Sequence, residues 1–369
     1  MRFATLIKEY QQPLEAKYGK LMLPSHRKAM AAIIRCRTPE AGTIQTRCSS
    51  CDQTEWQACS CGHRSCPQCQ NHMATLWLER QREKLLPINY FLITFTLPAQ
   101  LRDLAWQHQR LVYTALFDAA SKTLKQFGLN PKHLGAQIGM TAILHTHSRR
   151  LTYHPHVHVV IPGGGVDVQN KLWRRTRYKK FMFHHKALAK KFRGKLLHEI
   201  TQKGLKAPSY IPQKLVVNCR QTGRGESALK YLSRYLYRGV VTESNIISNH
   251  NGIVRFRYKD GETGQTHFEE LPGEEFVWRV IQHVLPRGYQ RVRSYGFMHH
   301  NARDVLQLLQ LILKVAIDAR PKKERPLFCC AACGGKMVVV SVTRWSEEKQ
   351  FKQQVIDRQV APRMEVSDL

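Results

Sequence analysis

Two histidines two residues apart, His156 and His158, sit in the run His154-Pro-His156-Val-His158-Val-Val-Ile-Pro-Gly-Gly-Gly165. The alternation predicts a β-strand, whose successive side chains point to opposite faces, so the two imidazoles share one face and Val157 and Val159 the other. Neutral imidazoles on a rigid element suit a divalent cation and leave coordination positions for substrate oxygens. Further along, Ala228 to Arg238 has helical spacing, with Tyr231 and Tyr235 at i and i+4 on one face and Lys230, Arg234 and Arg238 in a cationic stripe beside them. A phenol, with a pKa of about 10, is a poor nucleophile at neutral pH. A cation that polarises a phosphodiester would make its attack feasible.

Cysteines supply a second chemistry. Cys48-Ser-Ser-Cys51 and Cys66-Pro-Gln-Cys69 are C-x-x-C knuckles, expected to close one four-thiolate zinc site. His26, Cys36, Cys59, Cys61 and His63 are left over as ligands for a second ion, and spacing does not say which of them pair. Cys330-Ala-Ala-Cys333 is a further knuckle with no evident partner, so no third ion is expected. Seven of the 11 cysteines crowd between Cys36 and Cys69 behind a start that lacks an export signal, which argues for metal over disulfides.

These groups need elements to hold them. Tyr90 to Leu97, aromatic and β-branched, predicts a central strand, and Pro98 to Phe127 one long amphipathic helix. A strand over Ile138 to His147 should pair with the histidine strand as an antiparallel hairpin, bringing His145 to His156 and His158 as a third ligand. His147 and His154 are the alternatives. Helices are expected over Gln70 to Leu86, Lys186 to Lys203, Glu274 to Leu285 and Asn301 to Ala319, a strand over Lys214 to Cys219, and a hairpin from Ile253 to Glu269. Between Lys171 and Lys195, Arg174, Arg175, Arg177, Lys179 and Lys180 interleave with Trp173, Tyr178, Phe181 and Phe183. Rings that stack on bases beside cations that meet phosphates are what a single strand of DNA requires.

Composition agrees with that partner. A formal charge of +31 and 43% hydrophobic residues describe a folded chain that attracts polyanions. No run of about eighteen apolar residues is present to cross a membrane. The expected location is the cytoplasm, on the nucleoid when bound to DNA.

In this order, Cys66-Pro-Gln-Cys69-Gln70, Leu144-His145-Thr146, His154-Pro-His156-Val-His158, Tyr231-Leu-Ser-Arg-Tyr235, Leu285-Pro-Arg-Gly288 and Arg293-Ser-Tyr295-Gly296-Phe297 resemble the two-tyrosine HUH-type rolling-circle transposases of bacterial insertion sequences. The resemblance implies an α+β fold: an HUH endonuclease-like antiparallel sheet with flanking helices, preceded by a zinc-binding module. On it we expect a helical, zinc- and DNA-binding module over 1–86, a nuclease domain over 87–320 and a basic tail over 321–369. The implied reaction is cleavage and rejoining of single-stranded DNA at the ends of a mobile element. It uses Mg2+ or Mn2+ on His156, His158 and His145, a 5′-phosphotyrosine on Tyr231 or Tyr235, and a free 3′-OH. Relatives carry a histidine just before the second knuckle where this chain has Ser65, which makes His63 the substitute. A replication initiator or relaxase would use the same chemistry. A zinc-dependent DNA-binding regulator would use none, and its activity would survive loss of both tyrosines.

Overall fold

A computed structural model describes residues 1–178, 180–225, 240–260, 263–315, 329–345 and 351–354. At its centre is a five-stranded antiparallel sheet made of β3 (Asn89–Thr96), β4 (Met140–His147), β5 (Tyr153–Pro162), β8 (Val217–Arg224) and β12 (Val292–Tyr295), in the order β12-β4-β5-β3-β8. The expected α+β class and the expected β4–β5 hairpin both hold. Tyr90 to Leu97 forms β3 as anticipated, although β5 takes the middle of the sheet.

Alternation divides the sheet cleanly. Phe91, Ile93 and Phe95 of β3, Ala142 and Leu144 of β4, and Val157, Val159 and Ile161 of β5 face one side. There they are sealed by Val112, Leu116, Ala120 and Leu124 of α6 (Gln109–Leu129) and by Leu188, Phe192 and Leu196 of α7 (His185–Gln202). Nearly all of these side chains are fully buried. At about 1.5–3 kcal/mol each, their burial anchors β3, β4 and β5 before any ligand is considered. On the other side, Leu92, Ile143 and Val160 at one end pack under Phe297 and under Leu306 and Leu309 of α9 (Arg303–Ile312). The rest of that side is polar. It carries Thr94, His145, His156 and His158.

The helix expected to run unbroken from Pro98 to Phe127 is interrupted at His108, where α5 (Arg102–Gln107) ends and α6 begins. The break sends Trp106 into an aromatic cluster with His26, Tyr153 and Trp278.

A second core joins the start of the chain to residues far along it. Phe3, Leu6, Leu14, Ala29 and Ile33 of α1 (Phe3–Glu9), α2 (Gln11–Tyr18) and α3 (Pro24–Arg35) pack with Val254 and Phe256 of β10 (Ile253–Lys259) and with Phe276, Val277 and Ile281 of α8 (Gly273–Ile281). Strands β9 (Ile246–His250), β10 and β11 (Thr266–Pro272) form the small sheet beside them. Gly273 is required there, because a Cβ would stand 2.1 Å from the Tyr10 ring. Among the described residues, the apolar side chains of α1–α3 are thus buried together with those of β10 and α8.

A four-stranded sheet, β14-β13-β1-β2, unites β1 (Thr43–Cys48) and β2 (Thr54–Ala58) with β13 (Met337–Trp345) and β14 (Phe351–Gln354). The basic segment opens with a two-stranded arm, β6 (Gly164–Asp167) against β7 (Leu172–Arg175). The expected tyrosine helix falls in residues 226–239. Tyr231, Tyr235, Lys230, Arg234 and Arg238 thus lie outside the described residues, as do Lys179 and residues 316–319 of the helix expected to end at Ala319.

Candidate metal centre

His145, His156 and His158 come together because of register. His156 lies directly opposite His145 across the β4–β5 pair, and His158 lies opposite Ile143 one step along. One ring nitrogen from each falls within 4.8 Å of the other two. A carbonyl oxygen can only accept, so the 2.7 Å contact between His156 Nδ1 and the His154 carbonyl puts the proton on Nδ1 and leaves Nε2 a lone pair. That Nε2 lies 3.1 Å from His158 Nε2, whose ring is fixed by Thr94 Oγ1, 2.9 Å from its Nδ1. His145 Nε2 is buried with no hydrogen-bond partner.

Burial pushes His156 down to about 4 and holds His145 and His158 well below the ordinary imidazole range, with neighbouring histidine and arginine charges adding to the effect. All three are neutral at physiological pH and offer nitrogen lone pairs. A buried nitrogen without a partner beside two facing ones is a donor set that a divalent cation satisfies. His154, one of the two alternatives, instead accepts at Nδ1 from Arg102, 2.7 Å away, and orients His156 through its carbonyl. His147 stands behind the trio, its ring stacked on His145 and 5.4 Å from that of His283.

Three neighbours were not singled out as site residues by the sequence. Thr94 is one. Arg220, opposite Leu92 on β8 and hence on the histidine side, and Arg291, bonded to the Leu144 carbonyl, are the others; the charge of each depresses His158. The alternation of β3 could have exposed Thr94, but the arginines needed the strand order.

The cysteines gather differently from expectation. The described ligand atoms form two sets of four: Cys36, Cys61, Cys66 and Cys69, and Cys48, Cys51, Cys330 and Cys333. The knuckles at Cys48/Cys51 and Cys66/Cys69 therefore do not share a site, and Cys330/Cys333 has a partner after all. The reason is β1, which carries Cys48 away to pair with β13 beside the later knuckle. In the first set Cys69 Sγ lies 3.5 Å from Cys36 Sγ and 3.6 Å from Cys61 Sγ. Burial pushes the Cys36 thiol up to about 11, while the Cys61 hydrogen bond draws Cys66 down to about 5. Four crowded sulfurs ionise together only around a cation. His26, Cys59 and His63 stand outside both sets. His26 Nδ1 accepts the Leu23 N–H, and His63 Nδ1 the Ser65 N–H.

The basic segment is only partly free of partners within the protein. Arg174 is tied to Asp167 at 2.6 Å, Trp173 packs on Phe297, and Phe183 is buried. Arg175, Arg177 and Lys180 are exposed, and Tyr178, 54% exposed, stacks on Phe181.

Residues 139–305 match a family described as "Putative transposase", and residues 6–97 a "Transposase zinc-binding domain". The chain is 31% identical over 378 residues to "Putative transposase y4qJ" of Sinorhizobium fredii, covering 92% of this chain and 94% of that one. It is 26% identical over 347 residues to the "Transposase for insertion sequence element IS801" of Pseudomonas savastanoi pv. phaseolicola, covering 84% and 82%. Among solved structures, the relaxase TrwC complexed with a 27-mer DNA aligns at 15% identity and a TM-score of 0.25, over 61% of this chain and 74% of that one. No helix among the described residues is long and apolar enough to cross a membrane.

Proposed function

Because the chain belongs to the two-tyrosine HUH-type transposases of bacterial insertion sequences, we propose that it cleaves and rejoins single-stranded DNA at element ends through a 5′-phosphotyrosine. The observation that carries the reading is the convergence of His145, His156 and His158 on a wall of the sheet whose other side is a finished apolar core. Mg2+ or Mn2+ held by those three nitrogens would supply Lewis acidity at a non-bridging oxygen of the scissile phosphate. Arg220 and Arg291, beside the histidines, add positive charge that favours a phosphate there and stabilises the charge that builds up on its oxygens.

Tyr231 or Tyr235 is the nucleophile. Its oxygen forms a bond to phosphorus as the bond from phosphorus to the 3′ oxygen breaks, and the phenolic proton ends on the released 3′-OH. Phosphodiester energy is kept in the tyrosine ester, so rejoining needs no nucleotide cofactor. A second tyrosine four residues along the chain would allow another strand to be cut while the first is held. Lys230, Arg234 and Arg238, with Arg175, Arg177, Lys179 and Lys180, would follow the backbone of the strand, and Tyr178 offers a ring for stacking.

The test is to incubate the protein with single strands carrying element-end sequences and Mn2+, then look for a covalent adduct and map it by mass spectrometry. Adduct on Tyr231 or Tyr235, lost in the Tyr231→Phe, Tyr235→Phe double variant, is the expected result. A wild-type protein that binds these strands yet forms no adduct with either metal is instead a DNA-binding regulator.

A further inference from the structure

Neither matched region reaches Cys330 and Cys333, since one ends at residue 97 and the other at residue 305. We infer that these two thiols, with Cys48 and Cys51, hold a second structural Zn2+ that clasps strand β13 to the β1–β2 hairpin near the start of the chain.

Cys48 Sγ lies 3.5 Å from Cys333 Sγ, and Cys51 Sγ lies 3.7 Å from Cys330 Sγ and 3.4 Å from Cys333 Sγ. Four thiolates placed tetrahedrally at the Zn–S length of about 2.3 Å are separated along each edge by about 3.8 Å. A disulfide would require about 2.0 Å. The spacing is therefore that of ligands around one ion.

The backbone is shaped for the same arrangement. Ser50 N–H donates to Cys48 Sγ and Gly335 N–H to Cys333 Sγ, each at 3.4 Å. In both knuckles the first cysteine's N–H closes a turn, Cys48 onto the Gln53 carbonyl and Cys330 onto the Gly335 carbonyl, each at 2.8 Å. Gly334 has φ +72°, which an L side chain rarely adopts. Gly335 lies where the two knuckles meet, and a Cβ there would stand 2.6 Å from Ser50 Oγ and 2.9 Å from Cys48 Sγ. A glycine is what lets the late knuckle approach the early one.

Among the described residues, apolar packing at this junction is slight. Its buried cluster consists of Cys48, Cys330 and Met337. Burying one methionine is worth about 1.5–3 kcal/mol, against about 10–16 kcal/mol for a structural zinc ion. The clasp must also close a loop of 279 residues between Cys51 and Cys330. Two of its sulfurs belong to exposed residues, Cys51 and Cys333, whereas the other set has no exposed member. The clasp should therefore yield its zinc to a chelator first.

The experiment measures zinc per full-length chain, together with mass-spectrometric mapping of alkylated cysteines during stepwise chelation. We expect two zinc ions, falling to one in the Cys330→Ser, Cys333→Ser double variant and in Gly335→Val, which keeps every thiol. Cys48, Cys51, Cys330 and Cys333 should become alkylated together, ahead of Cys36, Cys61, Cys66 and Cys69. The wild-type mapping stands even if a variant fails to fold. One zinc in the wild type, or alkylation of Cys330 and Cys333 while Cys48 and Cys51 stay protected, overturns the clasp.

Discussion

The histidine trio and the cysteine clasp each bring together side chains able to hold a cation, but they are held by opposite means. His145, His156 and His158 come from two strands that are neighbours in the chain, and their positions are set by a sheet whose reverse side is sealed by α6 and α7. The clasp draws its ligands from knuckles 279 residues apart over a cluster of three buried side chains. Where packing fixes the ligands, a cation can come and go with substrate while the fold stays intact. Where the cation replaces packing, it cannot leave without loosening the structure. The Cys36–Cys69 set lies between these cases: Cys36 and Cys66 belong to the core shared by α1–α3 and α8.

The comparison breaks most visibly if the two kinds of site respond alike to losing a ligand. Cys66→Ser should cost much of the roughly 10–16 kcal/mol a structural zinc contributes, seen as zinc loss and vanished amide protection around residues 36–69. His156→Ala should leave the melting temperature within a few degrees of wild type while lowering strand cleavage by about 10^3-fold, the several kcal/mol expected of a lost Lewis acid. A His156→Ala protein that unfolds would mean that the trio is structural.

Acid should separate the regions next. Burial, and the nearby Arg27 charge, push His26 down to about 4. Between about pH 6.5 and 4 the unfolded chain binds a proton there that the native chain refuses, so stability is complete above 6.5 and falls as pH drops through that window. The slope is at most about 1.4 kcal/mol per pH unit for this group. Urea midpoints should show it, and His26→Leu should flatten it; an unchanged slope would assign the acid sensitivity to other buried histidines, His283 among them.

The finest distinction concerns orientation. Thr94→Val removes the partner of His158 Nδ1 without touching the apolar side, and should weaken Mn2+ binding by about 10- to 100-fold. Calorimetric titration of the metal measures this, and an unchanged affinity would show that register alone orients the ring.

Much of this was legible in the residues. Strand alternation put His156 and His158 on one side and the valines on the other, and the hairpin to Ile138–His147 followed from two adjacent β patterns, so His145 could be expected as the third ligand. Local periodicity sufficed because all three histidines lie within one hairpin. It failed for the helix over Pro98–Phe127, where neither glycine nor proline marks the break at His108. It also failed for Trp173, half-buried against Phe297, and for Phe183, which is buried although the run that contains them is basic.

By itself, then, the sequence determined which thiols form knuckles, which imidazoles share a strand face, and that the partner is a polyanion, since these depend on spacing and charge alone. Only the tertiary structure decided which knuckle joins which. Cys48 could as well have met Cys66 by spacing, but β1 pairs with β13, and a ladder between strands so far apart leaves no periodic trace in either of them.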